Sequence, residues 1–407
     1  VKALSPIVLA ATALLTLALP IAQAQQQQPP TAGKVDIFKE ADIKPGMQAT
    51  AWTVFQGTDA EAVPIEIIGI WKNAWGPKQN IILGKMGGKA QRTNVAGGMS
   101  GSPVYIDGKL AGAVALRLSV FSPDAICGIT PIENMLEINE IDKSKPSDSK
   151  SPTTRAAALQ LPGDMLRQVV SAGSDAGLLQ QQPLMVPIDT PLVLSGFGES
   201  TLREFGGMFQ QMGVRPVQGG ATGTLMSPKP VAGWQNSLKP GESVAGILVS
   251  GDMSMTGLGT VSYNDGKRIL AFGHPFFNLG PIDMPMSKGE ILMVLSSQFQ
   301  PNKFGNATEI VGALRQDRHS GIMGLLGETA EMIPVTLKLR THNKTIREKE
   351  LHFNVFVHPK WTPFLMMSTL FNSIDQMNEF ADNTTYRVSG DIRLANGARI
   401  SAFTMQA

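Results

Sequence analysis

Three short dipeptides constrain this chain most: Asp107-Gly108, Asp265-Gly266 (preceded by Asn264) and Asn396-Gly397, each flanked by runs of apolar residues. An Asn-Gly or Asp-Gly pair supplies two residues that tolerate positive φ, which a tight two-residue β-hairpin requires. Chains punctuated in this way fold as antiparallel sheets, not helical bundles. Composition agrees, because 42 glycines and 27 prolines interrupt nearly every apolar run before it reaches helical length. The expected strands include 48–55, 64–71, 104–106, 110–118, 188–195, 242–250, 258–263, 268–272, 290–299, 307–315, 335–340 and 349–357. Helices are expected over 132–138, from about Thr201 with Leu202, Phe205, Phe209 and Met212 on one face, and near 363–380. Thr201 and Glu204 have capping-box spacing.

The chain divides by composition. Residues 1–24 start Val-Lys, run apolar and end Ala22-Gln23-Ala24, the pattern of a secretory signal peptide. An exported, periplasmic or extracellular protein with no membrane span after its removal is therefore expected. Residues 25–34 form a glutamine- and proline-rich leader expected to be disordered. Residues 35–141 form one β-rich block, 142–165 a polar linker, 166–330 a second β-rich block and 331–407 a β/α extension. A net charge of +2 with no basic cluster argues against nucleic acid as a partner. The single cysteine, Cys127, allows no intrachain disulfide, and its apolar surround reads as a buried core thiol.

The chemistry concentrates in Gly97-Gly98-Met99-Ser100-Gly101-Ser102-Pro103, directly before the Asp107-Gly108 hairpin. Glycines before a serine let the backbone turn sharply, and the amides of Gly98 and Ser100 can then converge on one point, as an oxyanion requires. Gly101 is expected to leave room for a substrate carbonyl. A plain Gly/Ser turn between strands would have the same composition. Of the five histidines, His274 is the best placed to act as a base, since it ends a strand between Gly273 and Pro275 with apolar neighbours. A core histidine satisfied by a carbonyl is the bland alternative. A carboxylate to orient the ring could come from Asp317 or Asp283; Asp317 could equally be a surface group paired with Arg315 or Arg318, and a Ser/His dyad with no carboxylate is a further arrangement. Gly84–Ala90 falls one residue short of a phosphate-binding loop, and Gly196-Phe197-Gly198 lacks the third glycine of a dinucleotide turn. His352 and His358 have no third ligand nearby, so neither a metal nor another cofactor is expected.

The stretch G-G-M-S-G-S-P-V-Y-I-D-G-K-L-A-G-A-V from Gly97 to Val114 and G-T-V-S-Y-N-D-G-K-R-I-L-A-F-G-H-P-F from Gly259 to Phe276 together resemble the SpoIVB peptidase family, the stage IV sporulation protein B type. The resemblance implies a chymotrypsin-like double β-barrel built from two separated halves. It also implies a serine endopeptidase acting on a polypeptide substrate, with Ser100 as nucleophile and His274 as general base. In the sporulation protein the histidine half comes first; here Ser100 precedes His274. A non-catalytic envelope binding module and a self-processing protease are the rival expectations.

Overall fold

The computed structural model describes residues 28–118, 122–138, 185–211, 214–220, 225, 227, 229–297, 300–340, 348–377, 386–394 and 396–406. The segment expected to be a signal peptide (1–24), the first residues of the expected leader and the expected linker (142–165) lie outside these. Among the described residues no helix is long and apolar enough to cross a membrane.

The chain is mainly β, as its turn chemistry requires, and its strands close on themselves. In the first block, β1 (Gln48–Thr53), β2 (Glu61–Gly76), β3 (Gln79–Met86), β4 (Pro103–Ile106), β5 (Lys109–Leu118) and β6 (Ala125–Pro131) run in the order β4-β1-β2-β3-β6-β5. The β4–β5 pairing joins the two ends, giving a closed six-strand antiparallel barrel. Closure leaves the barrel no exposed sheet edge. A seventh strand, β7 (Met185–Pro187), adds to β5 through Arg117↔Val186.

The inside of this barrel is set by period-two alternation. On β2, Val63, Ile65 and Ile67 are buried between the exposed residues Pro64, Glu66 and Ile68. They meet Met86, Val104, Ile106, Val114, Cys127 and Ile129 in one cluster. Cys127 is fully buried there, and burial pushes its thiol up to about 12, so it is an inert core residue. The β4–β5 turn has positive φ at both Asp107 and Gly108, as a two-residue hairpin of this kind needs.

The second block repeats the construction. Strands β10 (Ser243–Gly251), β11 (Ser254–Asn264), β12 (Arg268–Ala271), β13 (Gly280–Leu295), β14 (Asn302–Arg318) and β15 (Gly321–Leu326) pair in the order β10-β13-β14-β15-β12-β11, and β10 pairs again with β11. The result is a second ring-like sheet. β8 (Thr190–Ser195) and the parallel β9 (Val214–Gln218) extend it beyond β11, while β16 (Met332–Arg340) and β17 (Glu348–Phe356) extend it beyond β10.

Among the described residues, two short α-helices belong to the first block, α1 (Ala90–Thr93) ahead of the serine loop and α2 (Ile132–Leu136) after β6. Two longer ones cover the second. α3 (Glu199–Gln211) crosses from β8 to β9, and α4 (Trp361–Asp375) follows β17. Phe205 and Phe209 of α3 meet Phe364 of α4 edge to face, with ring centroids 5.8 and 5.0 Å apart. The helix begins at Glu199, so Thr201 lies within its first turn and does not cap it. Its hydroxyl is buried and donates to Asn372 Oδ1 at 3.0 Å, tying α3 to α4. A last hairpin, β18 (Tyr386–Arg393) with β19 (Arg399–Gln406), forms a two-stranded sheet of its own.

Candidate functional site

The serine loop, residues 97–102, belongs to the first barrel in sequence but is held largely by the second sheet. Gly97 N–H donates to Pro301 O at 2.8 Å, and Gly97 O accepts from Lys303 N–H at 2.9 Å. Gly98 O accepts from Thr260 Oγ1, Ser100 O from Thr260 N–H and Gly101 O from Ser262 Oγ, each at 2.8 Å. Three groups turn back to the first block: Met99 N–H reaches Ala96 O at 3.0 Å, Gly101 N–H reaches Val114 O at 2.7 Å and Ser102 O accepts from Val114 N–H at 2.9 Å.

Gly101 is required by this docking. It has φ +94°, and a Cβ there would stand 1.9 Å from Thr260 O and 2.5 Å from Phe272 N. No side chain could be accommodated against that strand.

Peptide planarity then fixes where the loop amides point, because each N–H lies opposite the carbonyl of the preceding residue. The Gly97 carbonyl faces Lys303, which directs Gly98 N–H to the other side. The Met99 carbonyl accepts both Ser102 N–H at 3.0 Å and Ser102 Oγ at 2.6 Å, which turns Ser100 N–H away from them. The amides of Gly97, Met99, Gly101 and Ser102 all have acceptors, whereas among the described residues no acceptor pairs with Gly98 N–H or Ser100 N–H. A free, used, free, used order along the loop is what an oxyanion site built from alternate amides needs.

His274 reaches the same seam from the second sheet. The strand β12 stops at Ala271, one residue short of the expected end, and Phe272 and Gly273 take φ of +69° and +68°. This pair of left-handed residues turns the chain so that His274 is almost wholly buried. Phe272, a non-glycine residue held in that region, is locally strained. It is kept there by Gly259, where a Cβ would fall 2.6 Å from the Phe272 ring, and by its N–H to Thr260 O at 3.3 Å. Gly273 stands against Ala113 and Ala115 of β5, and its carbonyl accepts from Thr130 Oγ1 at 2.7 Å. Thr260 of β11 thus borders both the serine loop and the histidine turn, and β5 meets the first through Val114 and the second through Ala113 and Ala115.

The ring is in the tautomer a base requires. Nδ1 lies 2.8 Å from Pro275 O, which can only accept, so the proton is on Nδ1 and Nε2 carries the lone pair. Nε2 is buried without a partner, and so is Ser100 Oγ. The two reactive atoms are therefore both unpaired and not bonded to each other. Leaving a buried polar atom unpaired costs about 1–3 kcal/mol, and Ser243 Oγ and Ser287 Oγ are buried in the same way. Burial lowers the His274 pKa to about 4, opposed by the carbonyls of Pro275 and Ile188 and by the charge of Asp189.

Neither expected carboxylate faces the ring. Asp317 is fully buried on β14, where Oδ1 accepts Phe276 N–H at 2.8 Å and Oδ2 accepts Phe277 and Leu279 N–H at 2.8 and 3.2 Å. It holds the loop that follows His274 and leaves the ring to Pro275. Burial outweighs these amides and lifts its pKa to about 6. Asp283 is paired with Arg315 and accepts Glu331 N–H at 2.9 Å. The charge that does act on His274 is Asp189, between β7 and β8. Arg117 Nη2 at 2.9 Å and Arg215 Nη2 at 3.4 Å hold its carboxylate, while Ile188 N–H donates to Ala115 O. Asp189 had no sequence signal, since it sits alone in Val186-Pro187-Ile188-Asp189-Thr190 with neither of its arginines nearby in the chain.

Compared with known proteins, the chain matches no protein-family model, no curated protein and no solved structure.

Proposed function

We propose that this protein is a serine endopeptidase, with Ser100 as nucleophile, His274 as general base and the amides of Gly98 and Ser100 as oxyanion donors. The observation that carries the reading is the set of four unpaired groups at one seam: Ser100 Oγ, His274 Nε2 and the two alternate amides. The likeness of the two motifs to the SpoIVB peptidase family supports it, and so does a serine loop of one closed six-strand barrel hydrogen-bonded into a second ring-like sheet.

In the reaction, Nε2 takes the Ser100 proton as Oγ bonds to the scissile carbonyl carbon of a polypeptide. The resulting oxyanion accepts from Gly98 and Ser100 N–H. Collapse breaks the C–N bond, and the proton on Nε2 passes to the leaving nitrogen. Water, deprotonated by the same Nε2, then releases the acyl group and restores Ser100. Ser100 is fully buried, so the substrate gains it only when the seam opens.

That burial also favours a second reading, a binding module on the same fold with no catalysis. A fluorophosphonate phosphorylates an activated serine and separates the two. Covalent labelling at Ser100, lost in Ser100→Ala, supports the peptidase; purified wild-type protein that stays unlabelled across pH 5–9 rejects it.

A further inference from the structure

The most costly residue at the seam is one the reaction above does not use. Lys303, the second residue of β14, is completely buried. Its ammonium donates to Thr53 Oγ1 of β1 at 2.7 Å and to Thr260 Oγ1 of β11 at 3.3 Å, both hydroxyls themselves fully buried. Its aliphatic stem runs along Gly98, where a Cβ would meet Lys303 Cβ and Cδ at 3.2 Å. A leucine or methionine would fill that space without desolvating a charge, and a buried cation with no counter-ion is strongly unfavourable. Its retention calls for a task.

The hydrogen bonds supply one. Thr260 Oγ1 has a single hydrogen, which it gives to Gly98 O; its lone pair is then what the Lys303 ammonium takes. Lys303 therefore holds the threonine hydroxyl in the one rotation that secures the Gly98 carbonyl, while its own backbone N–H secures the Gly97 carbonyl. The Gly98 peptide nitrogen lies between these two fixed carbonyls.

We propose that Lys303 is the positioning residue of the oxyanion site: through Thr260 and its own amide it clamps both carbonyls flanking the Gly98 N–H and aims that N–H at the reacting centre. The assignment rests on the serine-peptidase reading for its purpose, but the clamp is a physical claim with its own readout. The elements packed round Lys303 are β1, β11, β13 and the serine loop, and they turn Thr53, Thr260, Val294 and Gly98 toward it. No charged side chain among the described residues contributes to its titration, and burial alone brings its pKa down to about 7. Near neutrality the clamp thus loses its charge and one of three N–H donors, which weakens the hydrogen bonds that it keeps to Thr53 and Thr260.

The test uses the full chain in two arms. In the first, Lys303→Met, which keeps the stem, lowers the maximal rate constant of fluorophosphonate labelling on the order of 10- to 100-fold and leaves the half-saturating reagent concentration unchanged. Thr260→Val gives the same defect, and the double variant is no worse than the poorer single one. A folded Lys303→Met protein labelled at the wild-type rate overturns the proposal. The second arm needs no activity and no variant that folds: the Gly98 amide resonance of the wild-type protein, followed by NMR from pH 5.5 to 8.5, shifts with the same midpoint as Lys303 Nζ. A Gly98 resonance that stays flat while Nζ titrates overturns the clamp. A Gly98 resonance that follows the lysine in a protein that never labels leaves the clamp standing and rejects the peptidase.

Discussion

The backbone carbonyl of Ser100 accepts the amide hydrogen of Thr260 at 2.8 Å, so the candidate nucleophile of the first barrel is hydrogen-bonded into a strand of the second sheet. Neither ring forms the serine loop alone. Of the loop carbonyls, those of Gly97, Gly98, Ser100 and Gly101 are fixed by Lys303, Thr260 and Ser262, all from the second sheet. The conformation of the serine loop and the association of the two blocks are one property in this arrangement.

Ser100→Ala and His274→Ala are each expected to abolish hydrolysis or labelling, and the double variant to be little worse than either single one. Residues that act in one step are far from additive. Ser100→Ala also removes an unpaired buried hydroxyl, so its thermal midpoint should equal or exceed that of the wild type. Robust peptide hydrolysis by the Ser100→Ala protein would sink the mechanism.

The two carboxylates give opposite expectations. Asp317→Asn places an amide nitrogen where three backbone N–H groups need acceptors, and is expected to destabilise the fold by a few kcal/mol, measured as a lower denaturant midpoint. Asp189→Asn removes the charge that favours protonated His274 and leaves Arg117 and Arg215 without their anion. It is expected to lower turnover or labelling on the order of tenfold or more with a smaller loss of stability. Equal and purely structural effects from both would show that Asp189 has no electrostatic part in the reaction.

How much of this was legible in the sequence follows from what each feature depends on. Strands such as β1, β5, β10, β11 and β17 are visible because short runs rich in apolar residues and the Gly and Asp residues that flank them are local signals. Cys127 declared itself buried, but β6 around it was missed, because Ile126-Cys127-Gly128-Ile129 is short and has no strict alternation. Strands β13 and β14 are far longer than their apolar cores, and the bulges that bend them at Met284, Ser287 and Met293 break the pattern that would have shown their length. In the site, Ser100 and His274 were readable because glycines and prolines around them mark forced backbone turns. Asp317 was misread for a simple reason. Its separation from His274 is compatible with facing the ring, but a carboxylate that close in space went instead to the nearest unpaired amides, those of Phe276, Phe277 and Leu279. Asp189 and Lys303 carry no local mark at all, since their partners come from other strands.

The pH dependence of labelling should reflect a base kept neutral by burial. His274 has its pKa lowered to about 4, below the ordinary 6.5, so its unfolded form binds more protons between those values. The stability contribution is therefore complete above about pH 6.5 and is lost as pH falls through 4. The acid limb of labelling should lie nearer 4 than 6.5, and Asp189→Asn should move it lower still, since removing the negative charge disfavours the imidazolium. A limb at 6.5 in the wild-type protein would mean that His274 is solvated in the reactive form.

Lys303 makes the opposite end of the pH range informative about stability. Its pKa falls from 10.5 in the unfolded chain to about 7 in the fold, so between these values the unfolded chain holds the proton that the fold has lost. Below about pH 7 both forms are charged and the full desolvation penalty, on the order of a few kcal/mol, weighs against the fold. As pH rises from 7 towards 10.5 the fold sheds that penalty and this contribution to stability improves. Lys303→Met removes the penalty at every pH, so its stabilising effect relative to wild type should be largest near pH 6 and shrink steadily as pH rises to 10. Paired denaturation curves at pH 6, 8 and 10 measure this directly. The expected pattern is a protein made more stable and slower to label by one substitution, which is how a residue retained for positioning, at the expense of stability, should behave. A difference in stability that does not vary with pH would show that Lys303 keeps its ordinary charge in the fold.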